Sequence, residues 1–299
     1  MLPQDRHTLY GLAAILLWSS TVALARSLSE QLGPLTAAAA VYLLGGLAAL
    51  GQSRLTGRLR RGLRPLPRRY LLGCGALFVF YMASFYLAIG LAHDHQQTLE
   101  IGLVNYLWPA LTVLLSLPLL GQKARPTLLP ATLLALLGVA LVLTQGVGLS
   151  WGAVRQNVTG NPTAYVLALG AAVSWALYST LTRRWAGPDS PGAVPVFLAA
   201  AGGAFLLLRL GWVERTVWSS RAAAETLFLA LATSLAYGLW DAAMRRGNII
   251  LVAACSYFTP LISTLVSCLY LGVLAGPRLW VGAALLAVGS LASWASLRR

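Results

Sequence analysis

Charge is scarce in this chain, and negative charge scarcest of all. Only 10% of the 299 residues are charged, and the 22 Lys and Arg face just 8 Asp and Glu. A soluble globular domain carries about 25% charged residues. A soluble enzyme domain is therefore not expected, and a disordered or fibrous chain is excluded. Cysteine is almost absent. Cys74, Cys255 and Cys268 each fall inside an apolar stretch and no CxxC pair exists, so neither a disulfide framework nor a metal site is expected. Histidine is as rare. His93 and His95 flank Asp94, a trio that could bind metal or sense pH, but a solvated turn is the favoured reading. No G-x-x-x-x-G-K-[ST] segment is present, so direct ATP drive lacks support and no cofactor is expected.

What the chain has instead is apolar residues: 58% are hydrophobic and the mean hydropathy is +0.72. A bilayer-spanning helix needs about 20 mainly apolar residues. Ten such runs can be drawn, at 9–29, 34–52, 70–92, 98–120, 127–145, 162–184, 193–210, 223–244, 249–271 and 279–297. The expected fold is an all-α polytopic membrane protein of ten transmembrane helices. Arg6, the first run and Ala23-Leu24-Ala25 have the outline of a cleavable signal, but the run is long for one and is read as a helix. Pro34, Pro126, Pro162, Pro195 and Pro277 stand at or near run starts, where proline is tolerated. Pro109, Pro118 and Pro260 lie inside runs and should kink them.

The +14 net charge reads as topology rather than as nucleic-acid binding, because the cations sit in loops between apolar runs. With the N-terminus placed inside, the outer segments hold only Arg26, Arg155, Arg209, Arg215, Arg221 and Arg278. The other 16 of the 22 Lys and Arg lie on the inner side. That asymmetry puts both termini in the cytoplasm. The run from Arg54 to Arg69 is read as a topology anchor in preference to a lipid-binding patch.

The chain repeats itself. At a spacing of 151 residues, Tyr106 matches Tyr257, Pro109 matches Pro260, Ser116 matches Ser267, Gly121 matches Gly272, Pro126 matches Pro277 and Gly138 matches Gly289. At a slightly different spacing, Trp18 matches Trp175 and Arg26 matches Arg183. Two five-helix halves, 1–150 and 151–299, follow. Five is odd, so the second half is inverted relative to the first, an arrangement found in transporters. A substrate site near the membrane midplane is the consequence.

This repeat, the ten runs, the segment Tyr237-Gly-Leu-Trp240-Asp241-Ala-Ala-Met-Arg245-Arg246-Gly247-Asn248 and the segment Tyr257-Phe258-Thr259-Pro260-Leu261 resemble the drug/metabolite transporter superfamily. Within it the chain looks most like EamA-type transporters, and among those like bacterial exporters of aromatic amino acids. The resemblance implies a basket of ten helices around a central cavity lined by helices 1, 3, 4, 6, 8 and 9, with alternating access across the inner membrane.

Trp18, Tyr81, Asn105, Trp108, Trp175, Tyr178, Tyr237, Trp240 and Tyr257 fall on those helices and are the expected substrate-binding residues. Trp18 and Trp175 should face one another across the cavity. Aromatics at run ends, Tyr70 and Trp185 among them, fit a headgroup belt instead. The kinks at Pro109 and Pro260 should free the carbonyls of Asn105 and Ser256, acceptors that a substrate ammonium could use. No Lys or Arg lies mid-run, which disfavours phosphate-bearing substrates. Two acids within runs, Glu100 and Asp241, are singled out. Glu100 is the first candidate for proton coupling and Asp241 the second, since Asp241 stands four residues before Arg245, the spacing of an ordinary helix ion pair.

The leading function is export of amino acids, aromatic or other large neutral ones, by an inner-membrane secondary transporter. A multidrug exporter of lipophilic cations and, from another class, a membrane-embedded enzyme are the alternatives. The expected partners are a small-molecule substrate and the lipid bilayer, without nucleic acid, and the expected state is a monomer.

Overall fold

The computed structural model describes residues 3–55, 66–144, 150–187, 190–271 and 276–298. Arg58, Arg60, Arg61 and Arg64 of the basic run and Gly272 of the repeat lie outside the described residues, as do the side chains of Ser267 and Cys268.

Among the described residues each of the ten apolar runs is mainly helical. The helices are α1 (Pro3–Leu32), α2 (Pro34–Leu55), α3 (Arg69–Gly90), α4 (His95–Asn105), α5 (Trp108–Leu120), α6 (Leu128–Leu143) and α7 (Trp151–Gly160). They continue as α8 (Pro162–Ala186), α9 (Val194–Leu210), α10 (Ser220–Arg246), α11 (Ile249–Ser256), α12 (Thr259–Leu271) and α13 (Pro277–Ala295). Six helical stretches are long and apolar enough to cross a membrane, and eight if each bent pair counts as one span. The helices α6 and α9 are apolar but shorter. Proline marks starts as expected: Pro34, Pro162 and Pro277 open α2, α8 and α13.

The prolines inside runs behave differently from a simple kink. Helix α4 stops at Asn105 and α5 restarts at Trp108; α11 stops at Ser256 and α12 restarts at Thr259. Pro109 and Pro260 are thus second residues of restarted helices, where the missing N–H costs nothing. The second break bends the chain by 42°. Of these three prolines, Pro118 is the one within a helix interior. Two features were not anticipated. Arg69–Cys74 at the start of α3 is π-helical, and α7 is a short helix with no buried residue.

The chain divides into two compact units. The first combines Met1–Ala83 with Leu181–Asn248, the second Ser84–Thr180 with Ile249–Arg299. Each unit therefore draws on both halves of the sequence.

In the first unit α2 packs against α9 and α10 at glycines. A Cβ on Gly45 would lie 2.6 Å from the Ala230 carbonyl oxygen, and one on Gly46 2.5 Å from the Ala199 nitrogen. One on Gly202 would lie 2.6 Å from the Leu43 nitrogen. Small residues let backbones approach this closely where no hydrophobic effect drives helices together. At the inner end expected for α10, Arg183 donates to the carbonyls of Met244, Ala243 and Gly247, placing a cation on the helix C-terminus. At the other end, Glu214 accepts from the Leu35 and Thr36 amides at 2.8 and 2.9 Å and satisfies the first turn of α2.

In the second unit α6 packs against α13 by the same device. A Cβ on Gly138 would meet the Leu286 nitrogen at 2.6 Å and the Gly282 oxygen at 2.7 Å. One on Gly289 would meet the Ala135 nitrogen at 2.4 Å and the Ala131 oxygen at 2.9 Å. A two-residue antiparallel pairing of Lys123–Ala124 with Leu297–Arg298 ties the α5–α6 connection to the end of α13.

Candidate functional site

Six of the eight aromatic residues singled out from the sequence form two clusters, one within each unit. In the first, the Trp18 ring lies 5.1 Å from those of both Tyr237 and Trp240. Tyr237 continues the cluster edge-on to Phe78 at 5.1 Å and reaches Tyr42 at 6.1 Å. The two tyrosine hydroxyls stand 3.3 Å apart. Trp240 is fully buried. Tyr42 and Phe78 were not anticipated. Tyr42 lies on helix 2, outside the expected lining, and only its neighbours reveal it.

In the second unit Trp108 meets Trp175 at 6.2 Å, nearly perpendicular at 85°, and Trp175 lies 5.0 Å from Tyr178. Offset and edge-on ring pairs of this kind are the favoured geometries. All three side chains are buried. Trp18 and Trp175 thus each belong to an aromatic cluster in a different unit. Tyr81, on α3, is half-buried.

The second unit also holds the two helix breaks and, beside them, three buried polar atoms. The Asn105 side-chain oxygen ends α4, the Tyr257 hydroxyl sits in the second break, and the Thr259 hydroxyl opens α12. None has a hydrogen-bond partner among the described residues. A buried polar group without a partner costs about 1–3 kcal/mol, so such a group calls for an explanation. The ring of Tyr257 is packed among Ala110, Val139 and Leu261; its hydroxyl is the part left unsatisfied. Thr259 was not among the expected residues, although the repeat pairs it with Trp108.

The acids separate cleanly. Glu30, Glu214, Glu225 and Asp241 each pair with an arginine. Asp94 accepts from the Gln97 amide at 2.7 Å as the N-cap of α4, which is what a turn-forming acid does. His93, beside it, is exposed and donates its amide to Gln97 Oε1; the side chain of His95 lies outside the described residues. Glu100 is buried and, among the described residues, held by neutral groups. Its carboxylate, 4% exposed, accepts from Gln96 and Asn157 at 3.1 Å each and from the Tyr165 hydroxyl. These donors come from α4, α7 and α8, so Glu100 ties the otherwise exposed α7 to the unit.

Asp241 is a different kind of acid. Arg245 Nε donates to it at 2.7 Å and the Tyr70 hydroxyl donates to its other oxygen at 2.8 Å. Tyr70 in turn accepts from the Ala193 amide at 2.9 Å. Tyr70 is fully buried, so it is an internal ligand of Asp241 and not the headgroup-belt residue its place at a run end suggested. Trp185 is half-buried and sits against Gly73.

Apolar spans, aromatic clusters buried at mid-run and helices interrupted at two points define a multi-pass α-helical membrane protein of the kind that moves small molecules. The chain belongs to the EamA-like transporter family, which matches residues 6–144 and 162–294. It is 36% identical over 297 residues to the aromatic amino acid exporter YddG of Escherichia coli K12, covering 99% of both chains. It is 33% identical over 261 residues to the exporter of the same name from Ancylobacter novellus, covering 86% of each. A solved crystal structure 29% identical in sequence superposes with a TM-score of 0.80 over 99% of both chains.

Proposed function

We propose that this protein is an inner-membrane secondary transporter that exports aromatic and other large neutral amino acids by alternating access. The observation that carries the site is the register of the two breaks. Asn105 and Trp108 bound the first, Ser256 and Thr259 the second, and both pairs are 151 residues apart, the spacing of the sequence repeat. Interrupted helices at corresponding positions of two halves point to a substrate site. Asn105 Oδ1 suits an ammonium and the Tyr257 hydroxyl suits a carboxylate, while Trp108, Trp175 and Tyr178 offer ring faces. The names of the relatives support the same substrate class.

The glycine contacts support the inverted repeat. Gly138 meets residues 282 and 286, and Gly289 meets residues 131 and 135; adding 151 converts one set into the other. Gly46 meets residue 199 and Gly202 meets residue 43, again reciprocal, at a spacing of 156. Reciprocal contacts of this kind are what a pseudo-two-fold axis produces. On this reading α6 and α9 also cross the bilayer, giving ten spans with both termini inside, and the chain is not an enzyme.

Uptake by purified protein in liposomes, against amino acids, organic cations and sugar phosphates, tests the reading. Trp108→Ala and Trp175→Ala each take from a bound aromatic side chain one ring contact worth about 0.5–1.5 kcal/mol beyond burial. Each is expected to weaken phenylalanine or tryptophan binding roughly 2- to 13-fold, with a smaller effect on a small neutral amino acid. An equal fall for large and small substrates would make these residues gates without ring selectivity.

Glu100 favours a second reading, export of lipophilic cations, since it is a buried carboxylate without an arginine. The same residue is the first candidate for coupling to protons, and Asp241, already paired, the second. Glu100→Gln is expected to abolish the dependence of net export on a pH gradient while leaving substrate exchange intact. Unchanged gradient dependence in both Glu100→Gln and Asp241→Asn removes carboxylate coupling.

A further inference from the structure

The first unit contains a cavity of 760 Å³. Its walls are one stripe of α2, one stripe of α10 and the segment leading into α9. The α10 residues Leu231, Ser234, Leu235, Gly238 and Asp241 recur at three- and four-residue intervals, so they form a single face. The cavity has two unlike ends. At one, Ala48 and Ala49 of α2 stand with Leu231 and Leu235 of α10, and both leucines are more than half exposed. At the other, Gln52 and Ser53 stand with Asp241 and Arg245.

Two exposed cations lie close in sequence to residues lining the polar end. Arg54 follows the lining residue Ser53, Arg68 follows the lining residue Leu66 by two positions, and both are exposed. The lining acid, Asp241, is already neutralised by Arg245, so the exposed arginines are free to face an anion. An apolar trough that opens between exposed leucines, with exposed arginines within two residues of its polar end, matches an amphiphile with a negative head. A free amino acid would leave the trough empty.

We propose that this groove binds an anionic phospholipid, its acyl chain against Ala49, Leu231 and Leu235 and its phosphate beside Arg54 and Arg68. The topology proposed above places it in the inner leaflet; the selectivity for an anionic head does not depend on that topology. Each basic residue near an anionic lipid surface adds about fivefold to binding. Gly238 provides the blocking variant, because a Cβ there meets nothing within 4 Å and a larger side chain grows into the trough.

The test is lipid retention by the purified full-length protein in detergent, read by native mass spectrometry. Phosphatidylglycerol and phosphatidylcholine of identical chains are the probes. The wild type is expected to retain phosphatidylglycerol at least fivefold better. Gly238→Leu, checked for monodispersity, should lose retention of both lipids. The pair Arg54→Gln with Arg68→Gln should keep retention but lose the preference, and it serves alone if Gly238→Leu misfolds. Equal retention of the two lipids by the wild type overturns the proposal. So does retention unaffected by Gly238→Leu, and so does release of the lipid by saturating phenylalanine, which would place the groove on the transport path.

Discussion

Arg245→Ala is expected to destabilise the protein by about 3–5 kcal/mol, the cost of removing one partner from a buried ion pair. Arg245 is 8% and Asp241 1% exposed, so the abandoned carboxylate has little water to turn to. The Tyr70 hydroxyl stays bound to it, a neutral donor that offsets only part of the loss. The guanidinium also holds the Ser190 carbonyl, so the chain entering α9 loosens with it. The double variant Asp241→Asn with Arg245→Met should recover most of the stability, because replacing a whole buried pair by neutral groups is often nearly neutral. Unfolding by graded SDS measures both. A single variant as stable as the wild type would mean that Asp241 reaches solvent.

Gly289→Leu is expected to block accumulation of folded protein. Its Cβ would stand 2.4 Å from the Ala135 nitrogen and 2.9 Å from the Ala131 oxygen. These are backbone atoms, so the helices themselves must separate, and overpacking alone costs about 1–3 kcal/mol. Gly203→Leu is the control, since a Cβ at Gly203 meets nothing within 4 Å. Expression and monodispersity in detergent should fall for Gly289→Leu and hold for Gly203→Leu. Equal behaviour of the two would remove close α6–α13 packing from the account.

The elements were legible in the sequence because hydropathy and proline act locally. Among the described residues all ten runs became mainly helix, and the spacing that aligns Pro109 with Pro260 also aligns the ends of α4 and α11. The partners were less legible. Tyr70 looked like an interfacial ring because its run began there, and nothing local shows that Asp241, 171 residues away, takes its hydroxyl. The reciprocity of Gly46 and Gly202 was missed because its spacing of 156 differs from that of the stronger matches. Asn105 and Tyr257 were found by their place beside a proline, whereas Thr259 was not, because an isolated threonine carries no signal until its hydroxyl is seen without a partner. The role of Asn157 in holding Glu100 was equally hidden, since α7 is a ten-residue helix lying between the apolar runs.

The division of the chain has a consequence for its biosynthesis. The first unit needs Met1–Ala83 and Leu181–Asn248, with the whole of Ser84–Thr180 translated in between. At about 5–20 residues per second, α1 and α2 are in place roughly 5–20 s before the segment that completes their unit begins to emerge. During that wait Gly45 and Gly46 have no α9 or α10 to receive them. Ala37–Ala40 and the two glycines form a small, uncharged surface that lipid can cover without an unsatisfied charge. The same smoothness that later admits a neighbouring backbone lets the early helices remain single in the membrane, so assembly order is built into the choice of side chains that seem to do least.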